Sequence, residues 1–403
     1  MSARRPALGF IFVTLVLDIL GIGLIIPILP KLVDQLTEGG VSEASHMYGL
    51  LAAIYSLMQF LFAPLLGSLS DRFGRRPVIL ASLLGSGLDY FLLAFAPNLA
   101  WFFIGRIISG ITGANFSAAT AYIADVSPPE KRAANFGLIG AAFGLGFIIG
   151  PAVGGLLGEI DLRLPFIVAG CLTLANWLYG LIILPESLAE KNRSHFSWGR
   201  ANPVGSLLSL RRYPFVLGLS GSHFLVQVAH QVLPSTWVLY TAYRYGWSPA
   251  HTGTSLAVVG LMAAIMQGGV TRIVVPKLGE MKTAALSLVV SGLAYVAYGL
   301  ATEGWMLYVI IVVGSVGGLA NPAIKGLISN SIGDHEQGQV QGSLTSLTSL
   351  AGIIGPPIAA GLFGFFIAEK APVYLPGAAF FFSAILVLIA ILLAVRSAKR
   401  ARN

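Results

Sequence analysis

The sequence has very few charged residues. Asp, Glu, Lys and Arg together make up 10% of the 403 residues, whereas hydrophobic residues make up 56% and the mean hydropathy is +0.80. Soluble domains carry about 25% charged residues, so a soluble chain of this composition would have no polar coat. The composition therefore predicts an integral membrane protein, whose apolar surface is surrounded by lipid.

Cysteine is almost absent as well. The single cysteine, Cys171, lies within an apolar run, which excludes a disulfide within the chain and a metal site built from several thiolates. We expect Cys171 to be a small packing residue.

Three kinds of function lack their usual sequence signals. The net charge is +8, but the basic residues lie in short loops and form no basic helix with interleaved aromatic residues, so we expect no nucleic-acid partner. The sequence contains no Gly-x-Ser-x-Gly, His-Glu-x-x-His or phosphate-loop motif. We therefore predict that the protein is not an enzyme and needs no cofactor or metal.

Long apolar runs recur along the whole chain. A run of about 20 residues can cross the hydrocarbon core of a bilayer as a helix. We expect the first run to be an uncleaved helix rather than a removable signal peptide. Twelve such spans are predicted, at residues 8–30, 47–70, 77–96, 99–124, 133–157, 164–184, 213–241, 251–275, 282–301, 304–330, 337–366 and 372–395.

Lys and Arg are distributed unevenly between the two sides that these spans define. Twenty fall on one side and four on the other, and the remaining one is Arg106, inside the fourth span. Because basic loops stay in the cytoplasm, we expect both termini to be cytoplasmic. The long basic connection at 185–212 predicts an N-terminal six-helix bundle (1–184), a cytoplasmic linker (185–212) and a C-terminal six-helix bundle (213–403).

The two halves share an internal repeat at an offset of 205 residues. This offset superimposes Arg72 on Lys277, Gly74 on Gly279, Gly137 on Gly342 and Gly150-Pro151 on Gly355-Pro356. Repeats of this kind predict two pseudo-symmetric bundles, with a site between them near the middle of the membrane that opens alternately to each side. The expected fold class is an all-α membrane protein with twelve transmembrane helices in two such bundles.

A short charged hairpin, Gly67-Ser68-Leu69-Ser70-Asp71-Arg72-Phe73-Gly74-Arg75-Arg76-Pro77, separates the second and third spans. Asp71 can dock on the positive N-terminus of another helix or on an arginine such as Arg132. A contact that forms and breaks as the halves move would act as a conformational latch, whereas the alternative is a solvated loop. The residues of this predicted latch are Gly67, Asp71, Arg72, Gly74, Arg75, Arg76 and Arg132.

Two acidic residues lie inside predicted spans, Asp18 in the first and Asp89 in the third. A carboxylate at the centre of a spanning helix costs about 2.5–3.5 kcal/mol, so it must face a cavity, pair with a cation or stay protonated. Asp18 and Asp89, with Arg106 as a partner of one of them, are therefore candidates for proton coupling. The alternative is a permanent ion pair that holds helices together.

The seventh span carries a polar stripe of His223, Gln227, His230 and Gln231 at positions i, i+4, i+7 and i+8. The stripe can face a substrate cavity, or it can form hydrogen bonds between helices. Histidine exchanges protons near neutral pH. Pro234, just beyond the stripe, predicts a kink.

The fifth span is rich in glycine. Glycines spaced about one helical turn apart let another backbone approach closely, and Pro151 removes a helical hydrogen bond. Close packing alone would also account for the composition. The residues concerned are Gly144, Gly146, Gly150, Pro151, Gly154 and Gly155.

These features together resemble the drug–proton antiporters of the major facilitator superfamily, and most closely the bacterial tetracycline efflux transporters. The resemblance is carried by the hairpin 67–77 and by the stretches 18–30, 105–114, 144–155, 237–239 and 245–247. It implies that the glycines of the fifth span form the antiporter motif. It also implies that Gln59, Asn115 and Asn321 line the substrate cavity together with the polar stripe, although each can equally be an interhelical hydrogen bond.

The sequence departs from the family pattern at two positions. Tetracycline antiporters carry a histidine in the eighth span and an aspartate in the ninth that are linked to proton movement, and here these positions are Ala263 and Ser291. Efflux of tetracycline itself is therefore not implied. The resemblance implies a monomer of the bacterial inner membrane that exports a small amphipathic or hydrophobic compound, such as a drug, in exchange for protons. The alternative is an uptake symporter or uniporter of the same fold.

Overall fold

The computed structural model describes residues 7–128, 132–193, 214–329, 331 and 337–400, and the regular structure in this part of the chain is helical throughout. The α-helices are α1 (Ala7–Ile25), α2 (Leu29–Gln35), α3 (Gly40–Phe73), α4 (Arg75–Ala94), α5 (Leu99–Gly113), α6 (Phe116–Val126), α7 (Arg132–Ile160), α8 (Leu164–Ile183), α9 (Pro214–His230), α10 (Val232–Tyr245), α11 (Pro249–Ile265), α12 (Thr271–Leu278), α13 (Glu280–Leu300), α14 (Gly304–Gly314), α15 (Ala320–Ser329), α16 (Gln337–Ile367) and α17 (Ala378–Arg400). A π-helical segment, Met266–Val270, joins α11 to α12, and a 3₁₀ segment, Ser315–Leu319, joins α14 to α15.

Eleven helical stretches in the described residues are long and apolar enough to cross a membrane. They correspond to the predicted spans one to six and eight to twelve. The predicted seventh span, 213–241, corresponds to α9 and α10, which are separated at Gln231. The prediction of an all-α membrane protein is confirmed.

The two largest differences between predicted span boundaries and helix ends are at the starts of the second and twelfth spans. The second span begins at Gly40 rather than at 47, because Ser42 and Ser45 donate their hydroxyls to the carbonyls of Gly364 and Ala360 at 2.8 and 2.7 Å. The twelfth begins at Ala378 rather than at 372, where prolines at 372 and 376 disfavour helical backbone in the residues before them.

The break between α9 and α10 has a local cause. Pro234 has no N–H, so the carbonyl of His230 four residues earlier loses its helical partner. Helix α9 ends at His230, and Tyr48 Oη donates a hydrogen bond to the Pro234 carbonyl at 3.1 Å. The predicted kink is therefore present as a break in the helix.

The chain divides into two compact units. The first comprises Met1–Leu32, Ile54–Asn202 and Ser248–Ala257, and the second comprises Val33–Ala53, Pro203–Trp247 and Val258–Asn403. The first part of α3 thus belongs to the second unit, and the first part of α11 belongs to the first. The predicted linker lies mostly outside the described residues, and the domain limits stay a prediction.

Helix α1 is central to the first unit and packs against α6, α7 and α8. Glycines on α7 make this contact close. A Cβ at Gly146 would lie 2.5 Å from Ile19 Cγ2, and one at Gly150 would lie 2.7 Å from Gly23 Cα. Gly154 faces the Leu24 carbonyl oxygen in the same way. The backbone approach expected from the glycine spacing therefore occurs, and α1, which carries Asp18, is the partner.

The second unit is built around α17, which packs against α9, α13 and α16, and α9 also packs against α16. Its core contains a cluster of aromatic rings, in which Tyr240 and Phe380 have centroids 4.9 Å apart and Trp237 and Tyr298 lie 5.3 Å apart. These are edge-to-face distances at which aromatic pairs attract beyond their buried area.

The 205-residue repeat is visible in the backbone. Gly74 has φ 106° and ψ 159°, and Gly279 has φ 79° and ψ 155°. Each glycine directly precedes a helix, α4 or α13. Because side chains rarely tolerate positive φ, glycine is required at the same point of both halves.

Candidate functional site

Asp18 and Asn115 lie together in the first unit. Asp18 is 7% exposed on α1. Asn115 sits in the short interruption between α5 and α6, and its side-chain amide lies close to the Asp18 carboxylate. Asp18 makes no ion pair with any residue that the structure describes. The carboxylate therefore lies beside a neutral amide and is not directly paired with a cation.

The second acidic residue, Asp89, belongs to a separate cluster on α4 and α5. Ser109 Oγ donates to Asp89 Oδ2, and Arg106 Nη2 donates to Ser109 Oγ at 3.1 Å. Asp89 Oδ1 and Arg106 Nε are both buried without a hydrogen-bond partner. Arg106, expected to pair with Asp18 or Asp89, thus reaches Asp89 through a serine that the sequence analysis did not single out.

Tyr55 connects the predicted cavity residues of the first unit. Gln59 Nε2 donates to Tyr55 Oη at 2.9 Å, and the Arg106 guanidinium carbon lies 5.6 Å from the Tyr55 ring centroid. Tyr55 also lies close enough to Asp18 for the two to interact electrostatically. The structure therefore brings Asp18, Asn115, Gln59 and Arg106 into one neighbourhood.

The polar stripe of the seventh span does not share a single partner in the second unit. His223 Nε2 and Gln227 Nε2 lie 3.2 and 3.4 Å from Thr348 Oγ1, on α16. The His230 ring instead meets the edge of Tyr295, with centroids 6.5 Å apart, and Gln231 packs against Gly355. Because α9 ends at His230, the side chains of His230 and Gln231 contact different neighbours from those of His223 and Gln227.

Three of the predicted cavity residues in the described part of the second unit have a buried acceptor without a donor. The Thr348 hydroxyl donates to Leu344 O at 3.0 Å, so it accepts from His223 Nε2–H and leaves Nδ1 as the acceptor nitrogen. His223 Nδ1, Gln227 Oε1 and Asn321 Oδ1 have no hydrogen-bond partner. These three predicted cavity residues thus offer unpaired acceptors.

The charged hairpin is held by ionic contacts within the first unit. Arg75 Nη1 lies 2.5 Å from Asp71 Oδ1 and donates to Ser70 Oγ at 2.7 Å, and Arg75 Nε lies 3.1 Å from Asp125 Oδ2. Asp71 thus contacts an arginine of its own hairpin. The Arg132 side chain lies outside the described residues, so docking of Asp71 on Arg132 stays a prediction.

Two other predicted latch residues have local partners. Arg76 Nη2 donates to Leu181 O at 2.6 Å, and the Arg72 guanidinium lies 5.1 Å from the Phe73 ring centroid. Asp125 and Glu186, which also hold this hairpin, were not singled out from the sequence. The sequence signal for them would have been acidic residues at the ends of spans, on the side of the membrane that carries most of the Lys and Arg residues.

The described residues contain no group of three or more His, Cys, Asp or Glu side chains that could hold a metal. What they contain are buried carboxylates, amides and hydroxyls inside a bundle of spanning helices. This arrangement indicates a multi-pass membrane transporter.

The chain belongs to the Major Facilitator Superfamily, whose model matches residues 11–356. It is 43% identical over 357 residues to the tetracycline resistance protein, class C, of Escherichia coli, covering 89% of each chain. It is 40% identical over 343 residues to the class G protein of Vibrio anguillarum, covering 84% of this chain and 86% of the other. The resemblance to tetracycline resistance proteins and the prediction of a transporter rather than an enzyme are confirmed.

Solved structures have the same fold. The human organic anion transporter MFSD10 (TETRAN) matches with a TM-score of 0.71 and 26% identity, over 98% of this chain and 100% of the other. A bacterial homologue of the human lysosomal transporter Spinster matches with a TM-score of 0.79 and 16% identity, over 98% of each chain. The predicted major facilitator fold, with twelve helices in two pseudo-symmetric bundles, is confirmed.

Proposed function

We propose that this protein exports a small amphipathic or hydrophobic compound, such as a drug, across the bacterial inner membrane in exchange for protons. It works as a monomer by alternating access, with both termini in the cytoplasm. The observation that carries the proposal is the buried Asp18 carboxylate, which lies close to the Asn115 amide and makes no ion pair among the described residues.

Protonation of Asp18 changes what its surroundings can bind. An ionised carboxylate only accepts hydrogen bonds, whereas a protonated one also donates. The proton therefore alters the hydrogen-bonding pattern next to Asn115 and removes a buried negative charge. Substrate and proton compete for the same neighbourhood, which is the requirement for antiport.

The contact between α7 and α1 supports a coupling role for the predicted antiporter motif. Gly146, Gly150 and Gly154 pack against the part of α1 that follows Asp18. A movement of α7 is thus transmitted to the helix that carries the carboxylate. The charged hairpin would act as the latch that stabilises one of the two conformations of the alternating-access cycle.

The substrate is proposed to differ from tetracycline. The relatives named above are tetracycline resistance proteins, but Ala263 and Ser291 stand where that family has ionisable side chains. The unpaired acceptors of His223, Gln227 and Asn321 favour a compound with N–H or O–H donors. The apolar part of such a compound would suit a binding site within the membrane.

The test is proton movement in proteoliposomes on addition of candidate drugs, tetracycline included. Wild-type protein should move protons when a substrate is added, and Asp18→Asn should abolish this response. Glu38→Gln, a substitution at an exposed residue of the loop after α2, is the matched control and should behave as wild type. Unchanged proton movement in Asp18→Asn would refute the assignment, and substrate uptake rather than export in inverted vesicles would favour the symporter.

A further inference from the structure

Three polar side chains between α1 and α8 are buried, and each has an oxygen atom without a hydrogen-bond partner. Thr14 is 3% exposed, and Thr173 and Asn176 are 0% exposed. Thr14 Oγ1, Thr173 Oγ1 and Asn176 Oδ1 have no hydrogen-bond partner, although Asn176 Nδ2 donates to the Thr14 carbonyl at 3.0 Å. Leaving such groups unpaired in an apolar contact costs about 1–3 kcal/mol each. Three in one interface need an explanation.

The two threonines do not behave like other threonines of this chain. In a helix a threonine hydroxyl commonly donates to the carbonyl four residues earlier. Thr236 and Thr348 do so, to Val232 O at 2.6 Å and to Leu344 O at 3.0 Å. The hydroxyls of Thr14 and Thr173 make no such bond. They are therefore available to a group that lies between the helices.

Two hydroxyl groups lie beside Gly21 at this interface. A Cβ on Gly21 would lie 3.3 Å from Thr173 Oγ1 and 3.5 Å from both Tyr90 Oη and Tyr90 Cε2. Because glycine has no side chain, no group of α1 separates its backbone from these two hydroxyls. A methyl group at this position would crowd the Thr173 hydroxyl.

The unpaired groups form a row that passes Asp18. Successive residues of a helix are about 100° apart, which puts Thr14, Asp18 and Gly21 within a sector of about 60° on α1. Asn176 contacts α1 at Thr14, and Thr173 contacts it at Gly21. The row is about 10 Å long at 1.5 Å per residue, and Asp18 lies within it.

We propose that the α1–α8 interface binds a short row of water molecules that carries protons to and from Asp18. The waters accept from the hydroxyls of Thr14 and Thr173 and donate to Asn176 Oδ1, which gives each unpaired group a partner. The Asp18 carboxyl gives its proton to the nearest water, which passes one of its own protons to the next. The carboxylate remains as the base that takes the next proton.

This inference rests on the proposed role of Asp18 as the proton carrier, but its hydration can be tested without transport. Thr14→Val and Thr173→Val keep the shape of the side chain and remove the hydroxyl. If the hydroxyls bind water, both variants should melt at a lower temperature than wild-type protein. If the hydroxyls are dry, valine removes an unpaired group and the melting temperature should rise, which would overturn the proposal.

Radiolytic labelling gives a second readout, because radicals formed from bound water oxidise neighbouring side chains. Tyr90, only 6% exposed, should be labelled in wild-type protein and protected in Gly21→Ala and Thr173→Val. Gly9→Ala, on the same helix with nothing within 4 Å of the added methyl, should leave the labelling unchanged. Equal labelling of Tyr90 in all four proteins would contradict the water site.

Proton transfer is then measured in proteoliposomes. Gly21→Ala should slow substrate-driven proton movement about tenfold, as expected for a loss of about 1.4 kcal/mol in the barrier, and substrate affinity should be retained. Stabilisation of the purified protein by NaCl relative to choline chloride, lost in Thr173→Val, would overturn the assignment to water in favour of a cation. If wild-type protein moved no protons, the proposed function would fail, whereas melting and labelling would still decide the water site.

Discussion

Glu186 Oε1 accepts a hydrogen bond from the backbone N–H of Arg75 at 2.9 Å, although the two residues are 111 positions apart. Its Oε2 accepts from the N–H of Arg76 at 3.2 Å. Both amides lie at the first turn of α4, where helical N–H groups have no partner within the helix. The start of the linker therefore caps the helix that follows the charged hairpin.

Removal of this cap is the first prediction. Glu186→Ala leaves the first amides of α4 to water and removes a negative charge from a helix N-terminus, which should destabilise the protein by about 0.5–2 kcal/mol. Thermal melting of the purified protein measures the loss. Glu190→Ala, at an exposed acid four residues later, is the control, and an equal effect of the two substitutions would show that the cap contributes nothing.

Gly74 and Gly279 give a matched pair for the second prediction. An added methyl strains the backbone at either position, because both have positive φ, at a cost of about 1–3 kcal/mol. At Gly74 the methyl also meets the Glu186 carboxylate, whereas at Gly279 nothing lies within 4 Å. Gly74→Ala should therefore lower the melting temperature more than Gly279→Ala.

A combined variant separates the two effects at Gly74. In a Glu186→Ala background the carboxylate that the methyl meets is absent. The excess effect of Gly74→Ala over Gly279→Ala should then disappear. If the excess persisted, it would have to come from the backbone at residue 74 and not from the Glu186 contact.

The ion pair between Arg75 and Asp125 is the subject of the third prediction. Arg75 is mostly buried and contacts both Asp125 and Asp71, so Arg75→Leu removes the arginine partner of two acids. A double-mutant cycle with Asp125→Asn should give a coupling energy of about 0.5–3 kcal/mol in thermal or denaturant unfolding. Arg75→Leu with Glu190→Gln is the control cycle, and a coupling as large in that cycle would contradict a specific contact.

The buried acids could be recognised from the sequence, whereas most of their partners could not. Asp18 and Asp89 are conspicuous because a charge inside an apolar run is costly. Ser109 is one of many serines in the spans, and its bridge to Asp89 depends on how α4 packs against α5. Glu186 lies at the end of a span, where charged residues are common. Its contact with the first turn of α4 depends on the folded arrangement of the helices and not on a local sequence pattern.

The helices themselves were predictable because span length and hydrophobicity follow from the thickness of the bilayer. Pro234 marked the interruption of the seventh span, but its effect on the polar stripe depended on which helices surround it. His230 faces α13, whereas His223 faces α16. The glycines of the fifth span predicted a close helix contact, and only the packed structure identifies α1 as the partner.

The contact of α7 with α1 leads to the last prediction. A methyl group on Gly154 would meet the Leu24 carbonyl oxygen, a backbone atom that cannot move aside without shifting α1. Overpacking of this kind costs about 1–3 kcal/mol. A shift of α1 would also displace Asp18, which lies on the same helix. Gly154→Ala should therefore lower both the melting temperature and substrate-driven proton movement. Gly140→Ala, on the same helix with nothing within 4 Å of the new methyl, is the control and should change neither the melting temperature nor proton movement. Wild-type proton movement in Gly154→Ala would show that close packing of α1 on α7 is not needed for coupling.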